Sequence, residues 1–439
     1  GDVPGAGLRE GLGETAPKAA ESRRRGMEPA PSRESGSGRL IDLDGNATTP
    51  LDPAVLDAMR PLWATGGNPE SRHGLGRAAR RAWEQARESL AAGLGAFPDE
   101  VVITSGGTEA NNLAITSLAG IERGPGQIVA TGLEHPAVSA PLDHLQALGF
   151  EVIRVPEAVD PEGIARVEVM ASAIGPFTRF ATLMLANNEV GSIQPVRELV
   201  EAAAAWGLPV HTDAVQAVGR IAVNFRELGV ATLAASAHKF HGPTGVGVLL
   251  VRRGVPIQPL ALGGAQQAGR RPGTPPVALA AGMAAALQRF LEEAEARQAR
   301  WETWRNRLAE ALIEALGAER VVIHGPSEPS RRLPQTLNVG FRGLDGDALL
   351  MQLDLAGVAA SLGSACASGA TLAPPTLLAM RVPPELLRSS VRFSFHAQTT
   401  SDDVDEARQR IIAVARGVLD ASEAFRVVDL ARAVGEGRG

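Results

Sequence analysis

Lys239 stands in the stretch "SAHKFHGPTG", residues 236–245. The apolar run "ATLAA" before it predicts a buried strand, and the glycines and proline behind it predict a tight turn. The amine would therefore lie at a strand end, where it could point into a cleft and form a Schiff base with an aldehyde. Most lysines are simply exposed, so the role of this one depends on the residues around it.

A second stretch could bind a phosphate group. "TSGGTEANN", residues 104–112, follows the predicted strand "VVITS" and opens a helix. Gly106 and Gly107 let the backbone approach a ligand closely, Thr108 could cap the helix, and the free N–H groups of a helix start attract phosphate. The stretch is not a P-loop, because no Lys-Ser/Thr follows the glycines. By itself it would also fit an ordinary turn between a strand and a helix.

A third stretch provides a carboxylate. "HTDAVQAVG", residues 211–219, places Asp213 at the end of the predicted strand "PVHTD". Thr108, Gln216 and Lys239 also lie just past predicted strands, and ligands of an open parallel sheet bind beyond the carboxyl ends of its strands. Pyridoxal phosphate needs a lysine for a Schiff base, a carboxylate for its pyridinium nitrogen and a helix start for its phosphate. The four residues therefore predict a pyridoxal-phosphate site.

The elements that must position these residues alternate along the chain between strands and helices. Such alternation predicts an α/β fold with crossover units and a mostly parallel sheet. The predicted strands are "VVITS", "QIVATG", "EVIRVP", "FATLMLA", "PVHTD", "ATLAASA" and "VGVLLVR", and the helices include "RAARRAWEQARESLAAGL", "TEANNLAITSLAG", "PAVSAPLDHLQALG" and "VRELVEAAAAWG".

The amino-acid composition of the sequence changes past Gly263. A long Gly/Pro/Gln loop leads into a helix predicted over 277–317, with at most one break, which links two domains. "TLNVGF" and "VRFSFHA" predict strands of a smaller domain, and Ser401 is predicted to cap the last helix. We therefore expect a disordered tail over 1–38, a large cofactor-binding domain over 39–285 whose first segment contributes to the small domain, and a small domain over 286–439 that carries Cys366.

Composition narrows the class of protein. The chain has 439 residues, 44% of them hydrophobic and 21% charged, which fits a globular protein with a sizeable core. A net charge of −6 gives no reason to expect nucleic acid, and no apolar run approaches the ~18 residues of a membrane span. The single cysteine excludes an internal disulfide and a cysteine-based zinc site, and favours a reducing cytoplasm. His238 and His241 lack further metal-ligand partners, so we expect no metal site.

Eight motifs, in order, give the sequence a family resemblance. They are "NATTP" (46–50), "TSGGTEANN" (104–112), "EHPAV" (134–138), "NNEVGSIQP" (187–195), "HTDAVQ" (211–216), "SAHKFHGP" (236–243), "RPGT" (271–274) and "GSACASG" (363–369). Together the chain resembles the cysteine desulfurases among the class-V, fold-type I pyridoxal-phosphate enzymes, from about Leu40 to Val418. This implies a large domain with a mostly parallel sheet of seven strands and a smaller α+β domain.

The resemblance also implies a role for each matching residue. Lys239 would hold pyridoxal phosphate as a Schiff base, and Asp213 would keep the pyridine nitrogen protonated, so that the ring stays an electron sink. Gln216 would face the phenolic oxygen of the ring, and His135 would stack over the ring and move protons. The other implied positions are the phosphate ligands Gly107, Thr108, Ser236 and His238, with Thr274 reaching in from a second subunit, Asn188 at the cofactor or the substrate, Arg392 at the substrate carboxylate, and Asn46 and Ala47 near the substrate pocket.

Cys366 separates this chemistry from its alternatives. A lone cysteine is usually an inert small hydrophobe, but the small neighbours in "SLGSACASGA" suit a mobile loop better than a core turn. "GSACASG" resembles the longer loop of the branch that carries its catalytic thiol there, and the thiolate would be the nucleophile. The implied reaction takes sulfur from L-cysteine, gives L-alanine and leaves a persulfide on Cys366.

The same resemblance implies partners and leaves alternatives. We expect a homodimer and a protein sulfur acceptor, such as an iron–sulfur scaffold or a sulfur-relay protein serving tRNA thiolation. A selenocysteine lyase, a class-V aminotransferase and a non-catalytic sulfur-transfer scaffold stay open. The sequence also departs from the family at four positions: Asp42 and Gly45 replace common aromatics, Thr244 replaces a lysine, and His396 replaces a glycine close to Arg392.

Overall fold

The computed structural model describes residues 34–35, 38–155, 158–362 and 374–436, with side chains from 39 to 421 within these ranges. Its strands are β1 (Glu34–Ser35), β2 (Gly38–Arg39), β3 (Ile41–Asp42), β4 (Val101–Thr104), β5 (Gln127–Ala130), β6 (Glu151–Arg154), β7 (Thr178–Thr182), β8 (Val210–Asp213), β9 (Thr232–Ser236), β10 (Gly247–Val251), β11 (Val321–His324), β12 (Thr336–Phe341), β13 (Val358–Ala359) and β14 (Ser390–Ser394).

The helices of the described residues are also given in chain order. They are α1 (Pro53–Thr65), α2 (Gly74–Leu94), α3 (Gly107–Ala119), α4 (Pro136–Ala147), α5 (Val167–Ser172), α6 (Val196–Ala204), α7 (Phe225–Leu228), α8 (Val277–Leu316), α9 (Gly346–Leu355), α10 (Pro375–Ala379), α11 (Pro384–Leu387) and α12 (Ser401–Glu436). No helix in this part of the chain is long and apolar enough to cross a membrane.

The central element is a seven-stranded sheet in the order β4-β10-β9-β8-β7-β5-β6. Every neighbouring pair from β9 to β6 is parallel, whereas β10 runs antiparallel to both β9 and β4. The residues of β8, β9 and β10 are buried throughout, as expected for strands covered on both faces. The prediction of an α/β fold with a mostly parallel sheet is confirmed, and the segments after β4, β5, β7, β8 and β9 all leave the sheet at one edge.

A smaller antiparallel sheet, in the order β11-β12-β14, is the main element of a second part of the molecule. The N-terminal segment joins it: β3 pairs with β13 in parallel, and Asp44 bridges to Ser394 at the end of β14. Ile41 and Leu43 accordingly pack in the hydrophobic cluster of this part of the molecule. This pairing places the segment that carries "NATTP" next to the large sheet.

Helix α8 runs without a break from the large sheet to the small sheet. Its first half contributes Met283 and Leu287 to the cluster under the large sheet, and its second half contributes Trp301 and Leu308 to the cluster of the small sheet. Forty residues at 1.5 Å per residue give a rod of about 60 Å. The predicted division of the chain at 285/286 falls within this helix and stays a prediction.

Two local predictions were wrong in detail. The first turn of α3 begins after Gly106 with no side-chain cap, so Thr108 lies inside the helix and does not cap it. Thr400, not Ser401, caps α12, because its hydroxyl accepts from Asp403 N at 3.1 Å while the Asp403 carboxylate accepts from Thr400 N at 2.9 Å. Strands β1 and β2 pair with each other, and the predicted tail over 1–38, most of which lies outside the described residues, stays a prediction.

Candidate active site

A cavity of about 270 Å³ opens at the edge of the large sheet where the predicted residues meet. Nine of the predicted site residues line it: Gly107, Thr108, His135, Asn188, Asp213, Gln216, Ser236, His238 and Lys239. They come from the segments that follow β4, β5, β7, β8 and β9. Five further residues complete the lining: Asn111, Ala137, Met184, Ala186 and Val215. The topology therefore brings together groups that are up to 132 positions apart in the sequence.

Lys239 ends the 3₁₀ turn that directly follows β9. Its Nζ donates to two consecutive backbone carbonyls, Asn46 O and Ala47 O, both at 2.8 Å. The Asn46 carbonyl also accepts from Gln216 Nε2 at 2.9 Å. The amine is thus held at the cavity wall by the N-terminal segment, which explains why "NATTP" belongs to the site.

The electrostatic surroundings favour an uncharged Lys239. Burial lowers the pKa of its amine to about 8. The positive charges of Arg392 and Arg220 contribute to this lowering of the pKa, while the carboxylates Asp213 and Asp44 oppose it. A lysine whose pKa lies this close to neutrality can act as a base or as a nucleophile at ordinary pH.

The start of α3 forms the end of the cavity that suits a phosphate. Its N-cap Gly106 provides no side-chain acceptor, so the first N–H groups of the helix remain for a ligand. Gly107 must be a glycine, because a side chain there would lie 2.6 Å from Val215 Cγ2. Ser236 and His238 line the same cavity, and burial lowers the pKa of His238 to about 4.

Asp213 is aligned by a chain of buried polar groups. Its Oδ2 accepts from Asn111 Nδ2 at 2.7 Å, and its Oδ1 accepts from Val215 N at 2.9 Å. Asn111 Oδ1 lies 3.0 Å from His211 Nε2, and His211 Nδ1 lies 2.8 Å from Thr232 Oγ1. Burial lowers the pKa of His211 to about 3, so the ring is neutral. A neutral ring that donates from Nε2 fixes the Asn111 amide with its nitrogen toward Asp213.

Sequence reasoning did not find the role of Asn111. Its signal was available, because Asn111 lies one helical turn after Gly107 in "TSGGTEANN" and faces the cavity with it. His211 is fully buried and does not line the cavity. Its place beside Asn111 shows how a core histidine can support a site that it does not line.

His135 and Glu134 lie at the opening of α4. His135 Nδ1 accepts from Ala137 N at 3.0 Å, which fixes the ring at the cavity wall. Desolvation lowers the pKa of His135, the Asp213 carboxylate opposes this, and the Lys239 charge adds to it. Glu134 accepts from Met184 N at 3.0 Å, and burial together with Asp213 raises the pKa of Glu134 to about 8.

Arg392 lies behind the cavity lining, on β14. Its Nη1 donates to Asn188 O at 3.0 Å, and its Nη2 donates to Asp44 Oδ1 at 2.6 Å. Asn46 is next to it in the network, since Asn46 Nδ2 donates to the same Asn188 carbonyl at 3.2 Å. Arg392 and Asn46 are therefore linked to the cavity through Asn188, Lys239 and Gln216, without lining it.

Three of the four departures from the family pattern meet in one place. His396 Nε2 lies 3.4 Å from Asp42 Oδ2. A side chain at Gly45 would come within 2.8 Å of Phe395 O and 3.1 Å of His396 Cβ, so no aromatic residue would fit there. The departures at Asp42, Gly45 and His396 thus lie together, and Arg392 keeps its contacts to Asn188 and Asp44 beside them.

The predicted roles of Cys366 and Thr274 are not tested by this cavity. Cys366 lies outside the described residues. Thr274 is exposed in the loop before α8 and does not line the cavity of its own chain, so its reach into a second subunit stays a prediction. Among residues 39–155, 158–362 and 374–421, no group of three or more His, Cys, Asp or Glu could hold a metal ion.

Comparisons with known proteins agree on one family. A family model described as "Aminotransferase class-V" matches residues 41–407. The chain is 40% identical over 394 residues to "Cysteine desulfurase IscS" of Dictyoglomus turgidum, covering 89% of this chain and 98% of that relative. It is 40% identical over 370 residues to "IscS-like cysteine desulfurase" of Mycobacterium tuberculosis, covering 83% and 93%.

Two solved structures extend the comparison to the fold. A "NifS-like protein" superposes with a TM-score of 0.79 at 34% identity, covering 85% of this chain and 99% of that one. A structure titled "SspA in complex with cysteine" gives a TM-score of 0.71 at 29% identity, covering 82% and 100%. The family match over residues 41–407 therefore includes both sheets and the residues that line the cavity.

Proposed function

The chain belongs to the class-V aminotransferase family, and from this premise we propose that it is a cysteine desulfurase dependent on pyridoxal phosphate. It removes sulfur from L-cysteine, releases L-alanine and leaves the sulfur as a persulfide on Cys366. One observation carries the proposal: Lys239, Asp213 and the uncapped start of α3 line a single cavity of about 270 Å³. Relatives that carry the name cysteine desulfurase cover more than four fifths of the chain.

The residues present fit pyridoxal phosphate. The start of α3 with Ser236 and His238 would hold the phosphate, and Asp213 would hold the pyridinium nitrogen. Gln216 Oε1 is buried and has no hydrogen-bond partner among the described residues, which suits a polar group of a bound molecule in this place. When bound through Lys239, the cofactor would supply an electron sink for the bond broken at Cα.

The chain's own residues supply the remaining chemistry. Lys239, with its pKa lowered to about 8, would act as the base that accepts the Cα proton of the substrate. Arg392 holds the substrate carboxylate with its planar fork, and His135 holds and moves protons over the ring position. Cys366, as the thiolate, attacks the substrate sulfur. A sulfur–sulfur bond forms and the carbon–sulfur bond breaks, and the carbon fragment keeps that electron pair and takes protons to become alanine.

The proposal includes partners and a compartment. Thr274 extends to the phosphate of a second copy of the chain, so the active form is a homodimer. A protein acceptor collects the persulfide sulfur for iron–sulfur clusters or thiolated tRNA. A reducing cytoplasm is the proposed compartment, because the only cysteine must remain a thiol between turnovers.

Cys366→Ser tests the reaction most directly. The hydroxyl is hardly ionised near neutral pH and is a poor nucleophile toward sulfur, so persulfide and enzyme-dependent sulfide should disappear. The cofactor absorbance should persist, because the proposed cofactor contacts lie elsewhere. Persulfide labelling and peptide mapping of the wild-type protein should find the extra sulfur on Cys366. Sulfide release at an undiminished rate from Cys366→Ser would show that the proposed mechanism is wrong.

A further inference from the structure

Arg220 is a buried cation beside the cavity that the proposed reaction does not use. Its exposed fraction is 0%, and its guanidinium packs over the Trp301 ring, 5.5 Å from the centroid. Only Nη2 is hydrogen bonded, to Gly45 O at 2.7 Å. Nε and Nη1 are buried and have no hydrogen-bond partner among the described residues. Burial and the charge of Arg297 lower the pKa of Arg220 to about 9, so it is still mostly charged near neutrality.

A buried charge with so few hydrogen bonds lowers the free energy of unfolding. A role at the site therefore explains Arg220 better than a contribution to stability. The one strong contact of Arg220 is to the backbone turn that receives Lys239. Arg220 holds the Gly45 carbonyl, and the next two carbonyls, Asn46 O and Ala47 O, both accept from Lys239 Nζ. Three consecutive carbonyls are therefore bound by these two basic side chains.

The two carbonyls can accept from the neutral amine as well as from the ammonium. A neutral lysine has two N–H donors and one lone pair, whereas the ammonium has three donors and no lone pair. Asn46 O and Ala47 O would use both donors of the neutral form at 2.8 Å each. The lone pair is then left for the cavity that Lys239 lines, which is the state required of a base.

We propose that Arg220 is a positioning residue for Lys239: it fixes, through Gly45 O, the turn that receives the free amine, and its charge favours the unprotonated amine there. The Asn46 and Ala47 carbonyls are then the site that Lys239 Nζ occupies whenever it is not bonded to the cofactor. This inference rests on the proposed function, because it gives Arg220 its role in preparing the base.

Other charges also act on Lys239, so the contribution of Arg220 must be measured against them. Arg392 acts in the same direction as Arg220, and Asp213 and Asp44 act against them. Among the described residues, the titratable and charged groups that interact with Lys239 include Arg220, Arg392, Asp44, Asp213, His135 and His238. Arg220 and Arg392 are both buried and do not line the cavity, and Arg220 differs from Arg392 in having no part in the proposed reaction.

The protonation of Lys239 can be read without turnover. Lys18 and Lys239 are the only lysines of the chain, so competitive acetylation of the cofactor-free protein, followed by mass spectrometry, reports both amines separately. The wild-type midpoint for Lys239 should lie near 8. Arg220→Met and Arg220→Gln should both raise it by roughly one pH unit, the order expected for loss of one nearby charge. Arg220→Lys should restore it.

The loaded enzyme supplies a second readout. The acidic limb of the kcat profile for alanine formation should move to higher pH in Arg220→Met and Arg220→Gln, while KM for L-cysteine stays within about twofold. Arg220→Met keeps an unbranched apolar stem against Trp301, and Arg220→Gln keeps a donor for Gly45 O, so the two variants protect against a failure of either one to fold. Arg332→Gln is the matched control, because Arg332 is also buried but donates to His324 O and Pro326 O.

The outcomes separate this inference from the proposed function. If the wild type desulfurates L-cysteine and the Lys239 midpoint stays unchanged in both uncharged variants, the inference about Arg220 is wrong and the proposed function stands. An equal shift in Arg332→Gln, or no restoration by Arg220→Lys, would also overturn it. If the wild-type protein neither desulfurates L-cysteine nor carries cofactor on Lys239, it is the proposed function that fails.

Discussion

The two sides of the cavity are held in place by different interactions. On the strand side, Asp213 and Ser236 are the last residues of β8 and β9, and the parallel pairing of these strands fixes their backbones. On the turn side, residues 44–47 and Arg392 come from the N-terminal segment and the small sheet. Here a network of side-chain hydrogen bonds adds to the backbone bridge between Asp44 and Ser394 in setting the position of the backbone.

Asn46 shows how dense that network is. Its N donates to Ser394 Oγ at 2.9 Å, its Nδ2 donates to Thr336 Oγ1 at 2.9 Å, and its Oδ1 accepts from Gln335 Nε2 at 3.1 Å. The turn side therefore depends on contacts between residues about 290 to 350 positions apart. The difference indicates that the strand side provides fixed chemical groups, whereas the turn side provides positioning that a single polar substitution could disturb.

The largest effect should follow from Lys239→Ala on the strand side. Turnover should fall by about 10³-fold or more, because the base and the cofactor bond are lost together, while the fold should be kept, since β8 and β9 are untouched. Borohydride reduction of the wild-type protein and peptide mapping should place a pyridoxyl group on Lys239. Lys18→Arg is the control for the only other amine side chain. A pyridoxyl group on Lys18 would contradict the assignment.

Asp213→Asn should give the next largest effect. An amide cannot hold the proton of the pyridinium nitrogen as an anion does, so kcat should fall by about 10²-fold with some cofactor still bound. Steady-state kinetics together with the cofactor absorbance would check both parts. Asp345→Asn is the matched control, because Asp345 caps α9 at Ala348 N and asparagine caps equally well. Near-normal turnover of Asp213→Asn would reject the pairing.

The strand side is also the part that the sequence could predict. Apolar runs end at Thr104, Asp213 and Ser236, and polar residues follow each of them. Because the carboxyl ends of parallel strands meet at one edge, local patterns were enough to bring Gly107, Asp213 and Lys239 together. The family resemblance then added His135 and Asn188, which no local pattern distinguishes.

The turn side could not be predicted in the same way. The pairing of Arg392 with Asp44, and the contact of Asp42 with His396, each join residues about 350 positions apart. No periodicity connects such positions, and a departure such as His396 looks unfavourable until its partner is known. The cap of α12 was misplaced for a related reason: Thr400 and Ser401 are adjacent hydroxyl residues, and only the geometry of Asp403 distinguishes them.

The smallest of these effects should come from Arg392→Lys, which tests the turn side. Arg392 divides its two Nη groups between Asn188 O and Asp44 Oδ1, and lysine cannot reproduce this fork with one nitrogen. KM for L-cysteine should rise by about tenfold, the equivalent of one weakened charged contact, with a smaller change in kcat. The affinity for L-alanine should fall in parallel, whereas the affinity for ethylamine, which lacks the carboxylate, should not change. Arg307→Lys is the control, because Arg307 pairs with Asp405 on the surface. Equal losses of affinity for L-alanine and for ethylamine would mean that Arg392 maintains the turn without binding the carboxylate. The turn side would then contribute only the positioning of the backbone, and no group that binds the substrate.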